Sequence, residues 1–121
     1  MSQDRPTAAE LVEAIREFLE RDVFEAVTGR VQFHVRVAMN ALAMLQRELT
    51  LGPSFVADER ARAVSLLGHD GEPVALEREL AARIRDGSLD DRLDAVREHV
   101  RATVREKLLV ANPRYIDPSP A

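Results

Sequence analysis

The chain has no cysteine and no tryptophan, and only one tyrosine and four phenylalanines among its 121 residues. Without cysteine there is no disulfide, no thiolate metal ligand and no cysteine nucleophile. With aromatic residues at 4%, the core must be assembled from aliphatic side chains and alanine, which suits close helix packing better than a strand sandwich. Lys107 is the only lysine. Together with the many alanines, that skew towards arginine fits GC-rich coding and carries no functional weight. No run of about 18 apolar residues and no N-terminal signal is present, so the reading is a soluble cytoplasmic protein with no membrane partner. A formal net charge of -4 with no basic tract argues against a nucleic-acid binder that works by neutralising phosphates.

What is present is helix. Hydrophobic residues at 45% and charged residues at 31% describe a globular chain, and the length suits one domain. The expectation is all-α: a single-domain bundle of about five helices over residues 1–121, with a flexible leader (1–6) and tail (116–121). Thr7 and Glu10 have capping-box spacing and open a first, amphipathic helix that runs to about Phe24. Thr28-Gly29 breaks it. The Arg30 to Leu51 stretch is apolar around most of its circumference and is predicted to be the innermost helix. Gly52-Pro53 is read as its stop, followed by a third helix from Pro53 to Leu67, with Asp58 spaced to pair with Arg62. The cluster Gly68-His69-Asp70-Gly71-Glu72-Pro73 predicts an exposed, mobile loop. Leu76, Leu80 and Ile84 mark a short fourth helix that carries a Glu79–Arg83 pair. Leu93, Val96, Val100, Val104, Leu108 and Ala111 form the inward face of the last helix, which Asn112-Pro113 ends.

Few residues suggest chemistry. Arg36, Asn40 and Arg47 lie on the polar stripe of the central helix and could hold an anionic ligand in a fork of donors. The bland reading of the same stripe is ion pairing and bundle packing. His34 offers a general base if Asp22 orients it, or else a buried structural histidine satisfied by Asp22 or a carbonyl. His34, His69 and His99 are scattered without ligand spacing, so no metal is expected, and no phosphate loop, nucleophile elbow or other cofactor motif is present.

Three stretches, RPTAAELVEAIREFLERDV (Arg5 to Val23), GRVQFHVRVAMNALAMLQREL (Gly29 to Leu49) and KLLVANPRY (Lys107 to Tyr115), resemble a bacterial family built on a domain of unknown function. Its members are small helical proteins encoded beside, or fused to, aminoglycoside-phosphotransferase-like kinases, often near acyl-CoA dehydrogenase-like genes. The resemblance brings no catalytic residue. It implies association: an accessory protein that binds a phosphotransferase-like partner, with the kinase chemistry belonging to that partner because this chain lacks the phosphotransfer residues, while whether the chain is an enzyme of another kind stays open. The alternative is a ligand-binding or catalytic bundle using Arg36, Asn40, Arg47 and His34. A homodimer is also expected, because five modest helices leave Phe33, Val37, Met44, Phe55 and Val56 without cover.

Overall fold

The computed structural model describes residues 4–116, which form four α-helices and no strand. They are α1 (Ala8–Phe18), α2 (Gly29–Leu67), α3 (Pro73–Arg85) and α4 (Leu93–Ala111), with short π and 3-10 turns between α1 and α2, a 3-10 turn ahead of α4 and another after it. Residues 1–3 of the leader and 117–121 of the tail lie outside the described residues.

The helix starts follow the local chemistry. The Thr7 hydroxyl accepts from the Glu10 amide at 3.2 Å, and the Glu10 carboxylate accepts from the Thr7 amide at 2.8 Å. Two of the donors left open at a helix start are thereby satisfied. Arg5 also reaches Glu10 and is the first cause of its lowered pKa, the Thr7 amide the second. α1 ends at Phe18, and the chain widens into a π-helical turn (Leu19–Val23) and then tightens into a 3-10 turn (Phe24–Ala26), where the sequence predicts one helix to Phe24. α2 closes where expected. Gly68 takes a φ of +83°, and its amide donates to the Val64 carbonyl at 2.8 Å.

The largest departure is in the middle of α2. Gly52-Pro53 does not stop the helix, which runs unbroken for 39 residues with Pro53 inside it. The two helices predicted there are one, so there are four α-helices and not five. An interior proline loses one hydrogen bond and crowds the carbonyl one turn back, at a cost of about 3 kcal/mol. The preceding residue normally adds a clash between its Cβ and the proline ring. Gly52 has no Cβ, so that second clash is missing, and the helix continues into residues that have a core to join.

The chain divides into two compact units. One runs from Pro53 to Leu109 and takes up again at Pro113. It holds the clearest core: Ala63, Leu66 and Leu67 of α2, Leu76 and Leu80 of α3, Leu89 in the connecting turn and Val96 of α4. Leu76 is only 1% exposed, and burying a side chain of that kind contributes roughly 1.5–3 kcal/mol. The His69–Pro73 segment, predicted to be mobile, is tied down here. The His69 ring lies 2.8 Å from the Glu79 carboxylate, and Arg60 pairs with Asp70 at 2.6 Å while donating to the Gly71 carbonyl at 3.2 Å.

The other unit takes in the described residues up to Gly52, together with Val110–Asn112. Its buried apolar side chains are Val12 and Val35. The Arg30 to Leu51 stretch is therefore not an innermost helix within this chain: Val31, Phe33, Val37, Met44 and Leu45 are all exposed. In this unit α1, the turns from Leu19 to Ala26 and the short Val110–Asn112 stretch are what the described residues offer to cover it. Polar contacts do much of the joining. Arg16 donates to the Gln46 side chain, Gln32 donates to the Phe24 carbonyl at 2.9 Å, and the Arg36 guanidinium lies 5.1 Å from the Phe24 ring centre.

Candidate functional site

The first half of α2 is best understood by angle. At about 100° per residue, Phe33, Val37, Asn40, Met44 and Leu51 fall within an arc of about 60°. Val35, the buried residue of this stretch, points the opposite way, some 200° from Phe33. The four apolar members of the arc are 62%, 48%, 42% and 36% exposed, and Asn40 is exposed among them. The outer face of α2 is thus a straight apolar stripe five turns long with one amide in its middle. α1 has a shorter stripe of its own: Leu11, Ile15 and Phe18 are each about half exposed.

Of the four residues read as an anion or ligand site, Arg36, Asn40 and Arg47 lie within about 40° on one side of α2 and His34 on another, but the two guanidiniums are engaged by different groups. Arg36 is stacked on Phe24, and Arg47 donates from Nε to the Val110 carbonyl at 2.7 Å, capping the end of α4. Asn40 sits in the outer stripe. His34 is exposed with its ring edge-on to Phe33 at 5.7 Å, and Asp22 is exposed as well. The buried His34 held by Asp22 is therefore corrected, because His34 lies off the Val35 face that α2 turns inward. Of the five residues named as interface, Phe33, Val37 and Met44 share the stripe. Phe55 is half-buried, and Val56, exposed, belongs to the wall of a cavity in the second unit.

In that second unit the structure assembles a polar cluster that the spacing of the histidines did not suggest. α4 turns Val96, His99, Thr103 and Glu106 towards α2, leaving Val100 and Val104 about half exposed, so the predicted inward face of α4 is rotated by roughly one residue. Arg62 is the hub. Its two terminal nitrogens meet the Glu106 carboxylate at 2.9 and 3.2 Å, one of them also reaches the Thr103 hydroxyl at 3.2 Å, and its Nε donates to His99 Nδ1 at 3.2 Å. Arg62 thus pairs across to α4, where the sequence predicts a partner in Asp58 on its own helix. Thr103 passes the network on to Glu59 at 3.4 Å.

This geometry sets the state of His99, which is 6% exposed. An imidazole that accepts at Nδ1 is neutral and carries its proton on Nε2. Burial is the first cause of its lowered pKa, and the Arg62 charge is the second. Arg62 itself is held more firmly protonated, chiefly by Glu106. His99 lines a cavity of about 70 Å³ with apolar walls from Val56, Ala63, Val74, Leu76 and Leu80, and with Glu59 and Glu77 also on its lining. It also borders a shallower hollow beside Arg62, Ser65 and Arg92. No buried side-chain nitrogen or oxygen among the described residues lacks a partner. With Nδ1 accepting from Arg62, Nε2 carries the ring proton and is the donor the imidazole has left. Among the described residues no group of three or more His, Asp or Glu side chains is placed to hold a metal ion, and no helix is long and apolar enough to cross a membrane.

The family model described as a domain of unknown function, DUF6285, matches residues 25–115. The chain belongs to the DUF6285 family. The DUF6285 region begins just ahead of α2 and contains the outer stripe, the interior proline and the Arg62–His99 cluster, while α1 lies before it. No curated protein and no solved structure matches the chain.

Proposed function

We propose that this DUF6285 chain is an association module whose working surface is the outer face of the first half of α2. One observation carries the reading: Phe33, Val37, Met44 and Leu51 stand exposed on one narrow arc, on the side of the helix away from Val35. A scattered exposed leucine needs no explanation, but four large apolar side chains aligned on one face over five turns mark a surface that another protein covers. The unit that bears it has little interior of its own, so covering the stripe adds to its stability as well as its contacts. The resemblance to proteins encoded beside or fused to aminoglycoside-phosphotransferase-like kinases supports the same class of role, with the kinase-like protein as a heterologous partner. The ligand-binding alternative has less support, because Arg36, Arg47, Asn40 and His34 face different surroundings.

The test is the mass of the complex in solution, by light scattering, for the chain alone and co-expressed with an aminoglycoside-phosphotransferase-like protein from the same genome. A mass above one chain in either preparation, reduced by Val37→Glu or Met44→Glu with helicity retained, is the expected result. A single-chain mass in both preparations overturns the proposal.

A further inference from the structure

Building on that reading, we infer that the occupant of the stripe is a second copy of the same chain, with the two α2 helices antiparallel across a two-fold axis close to Asn40. The order of residues along the stripe is nearly the same from either end. Val37 and Met44 lie at similar distances on either side of Asn40 and Ala41, and Phe33 and Leu51 lie further out. An antiparallel pair sets Val37 against Met44 of the second copy and brings Phe33 within about one turn of its Leu51. A two-fold contact needs this kind of self-complementary surface.

Charge decides the direction. Arg30 and Glu48 flank the same edge of the stripe, about 60° from Phe33 on an ideal helix. Both are exposed, and neither makes an ion pair among the described residues. In the antiparallel arrangement Arg30 of each copy comes within about one turn of Glu48 of the other, giving two opposite-charge contacts. A parallel pair would set arginine against arginine and glutamate against glutamate. Asn40 then has a role that no hydrogen bond among the described residues gives it. Beside the axis, its amide can donate to and accept from the same amide of the second copy, and a polar residue in an apolar seam fixes register and direction.

The area is sufficient. The exposed parts of Phe33, Val37, Met44 and Leu51 come to on the order of 350 Å² per copy. With the stems of Arg30, Arg36 and Glu48 added, the pair reaches the roughly 1,200 Å² at which specific interfaces begin.

The absence of cysteine makes the test clean. Single variants Val37→Cys, Asn40→Cys and Met44→Cys of the full chain are mildly oxidised at about 100 μM, above ordinary dissociation constants for specific interfaces. Asn40→Cys should link to itself. Val37→Cys and Met44→Cys should link to each other when mixed, at least tenfold faster than either links to itself. Self-linking by both Val37→Cys and Met44→Cys indicates a parallel pair and overturns the inference. So does a dimeric mass with no link along the stripe. A monomeric chain that still forms a Met44-dependent complex with the phosphotransferase-like protein overturns the second-copy inference and leaves the association reading standing. A monomer with no such complex removes both.

Discussion

Arg62 illustrates how one long side chain can organise a helical unit. It spends its donors on Glu106, Thr103 and the ring nitrogen of His99, and the imidazole is left neutral. The consequence is a pH dependence with a definite sign. His99 has its pKa below the ordinary 6.5, so its contribution to stability is complete above about pH 6.5. It is lost as pH falls through the folded value, because the unfolded chain takes up the proton first. His69 is the opposite case: the Asp70 carbonyl, and then Glu79, raise its pKa, so its contribution is present below 6.5 and lost as pH rises through the folded value. His99→Gln should therefore flatten the acid side of the stability profile, and His69→Asn the alkaline side, as read from urea midpoints between pH 5 and 8. A slope on the acid side is bounded at about 1.4 kcal/mol per pH unit for one proton. If His99→Gln leaves the acid slope unchanged, the neutral imidazole is not what the Arg62 cluster holds. The sequence carried a faint sign of this site. His99, Thr103 and Glu106 recur at four and three residues, a helical spacing of polar groups on the face that also holds Val96. A search for metal-ligand spacing overlooks it, because the partner is an arginine on another helix.

At the scale of the helix, most boundaries were legible because they depend on short-range chemistry. The Thr7–Glu10 box, Gly68 and Asn112-Pro113 each act within one turn, and each lies at an end of α1, α2 or α4. Gly52-Pro53 carries the same kind of signal and has the opposite outcome, since whether a helix stops there depends on whether the residues beyond gain by continuing. Ala63, Leu66 and Leu67 do gain. This account predicts a reversal of sign. With Pro53 present, Gly52→Ala should lower stability by about 1 kcal/mol, because its Cβ meets the proline ring. In a Pro53→Ala background the same change should raise stability by roughly 0.5–1 kcal/mol, since alanine is the better helix former and the one nearby group is the flexible end of Glu48. Urea denaturation of the four proteins closes the cycle. Equal effects in both backgrounds would falsify the steric explanation.

For the molecule as a whole, stability is unevenly distributed. The unit from Pro53 onward contains the main core cluster, whereas Val12 and Val35 are the buried apolar side chains of the other. Amide exchange should be slowest around Leu66, Leu76 and Leu80 and faster from Val31 to Leu51. If the outer stripe is covered by another copy, exchange over Phe33 to Leu51 should slow as protein concentration rises, while the Leu76 region changes little. Concentration-independent exchange throughout would count against association. Sequence patterning located the apolar residues of α2 correctly, but it could not say which of its faces the chain itself covers, because that depends on how many other helices reach it.

Pro53 also has a meaning for the order in which α2 comes apart. A proline inside a helix is a missing bond, yet at the first position of a helix its absent N–H and fixed φ are no disadvantage. As the helix unravels from Gly29, residue after residue gives up a bond until Gly52 is reached. What remains then begins with a glycine in the capping place and a proline in the first turn, a start that needs no repair. The defect in the middle of the long helix becomes a firebreak, and residues from Pro53 onward are poised to outlast the rest.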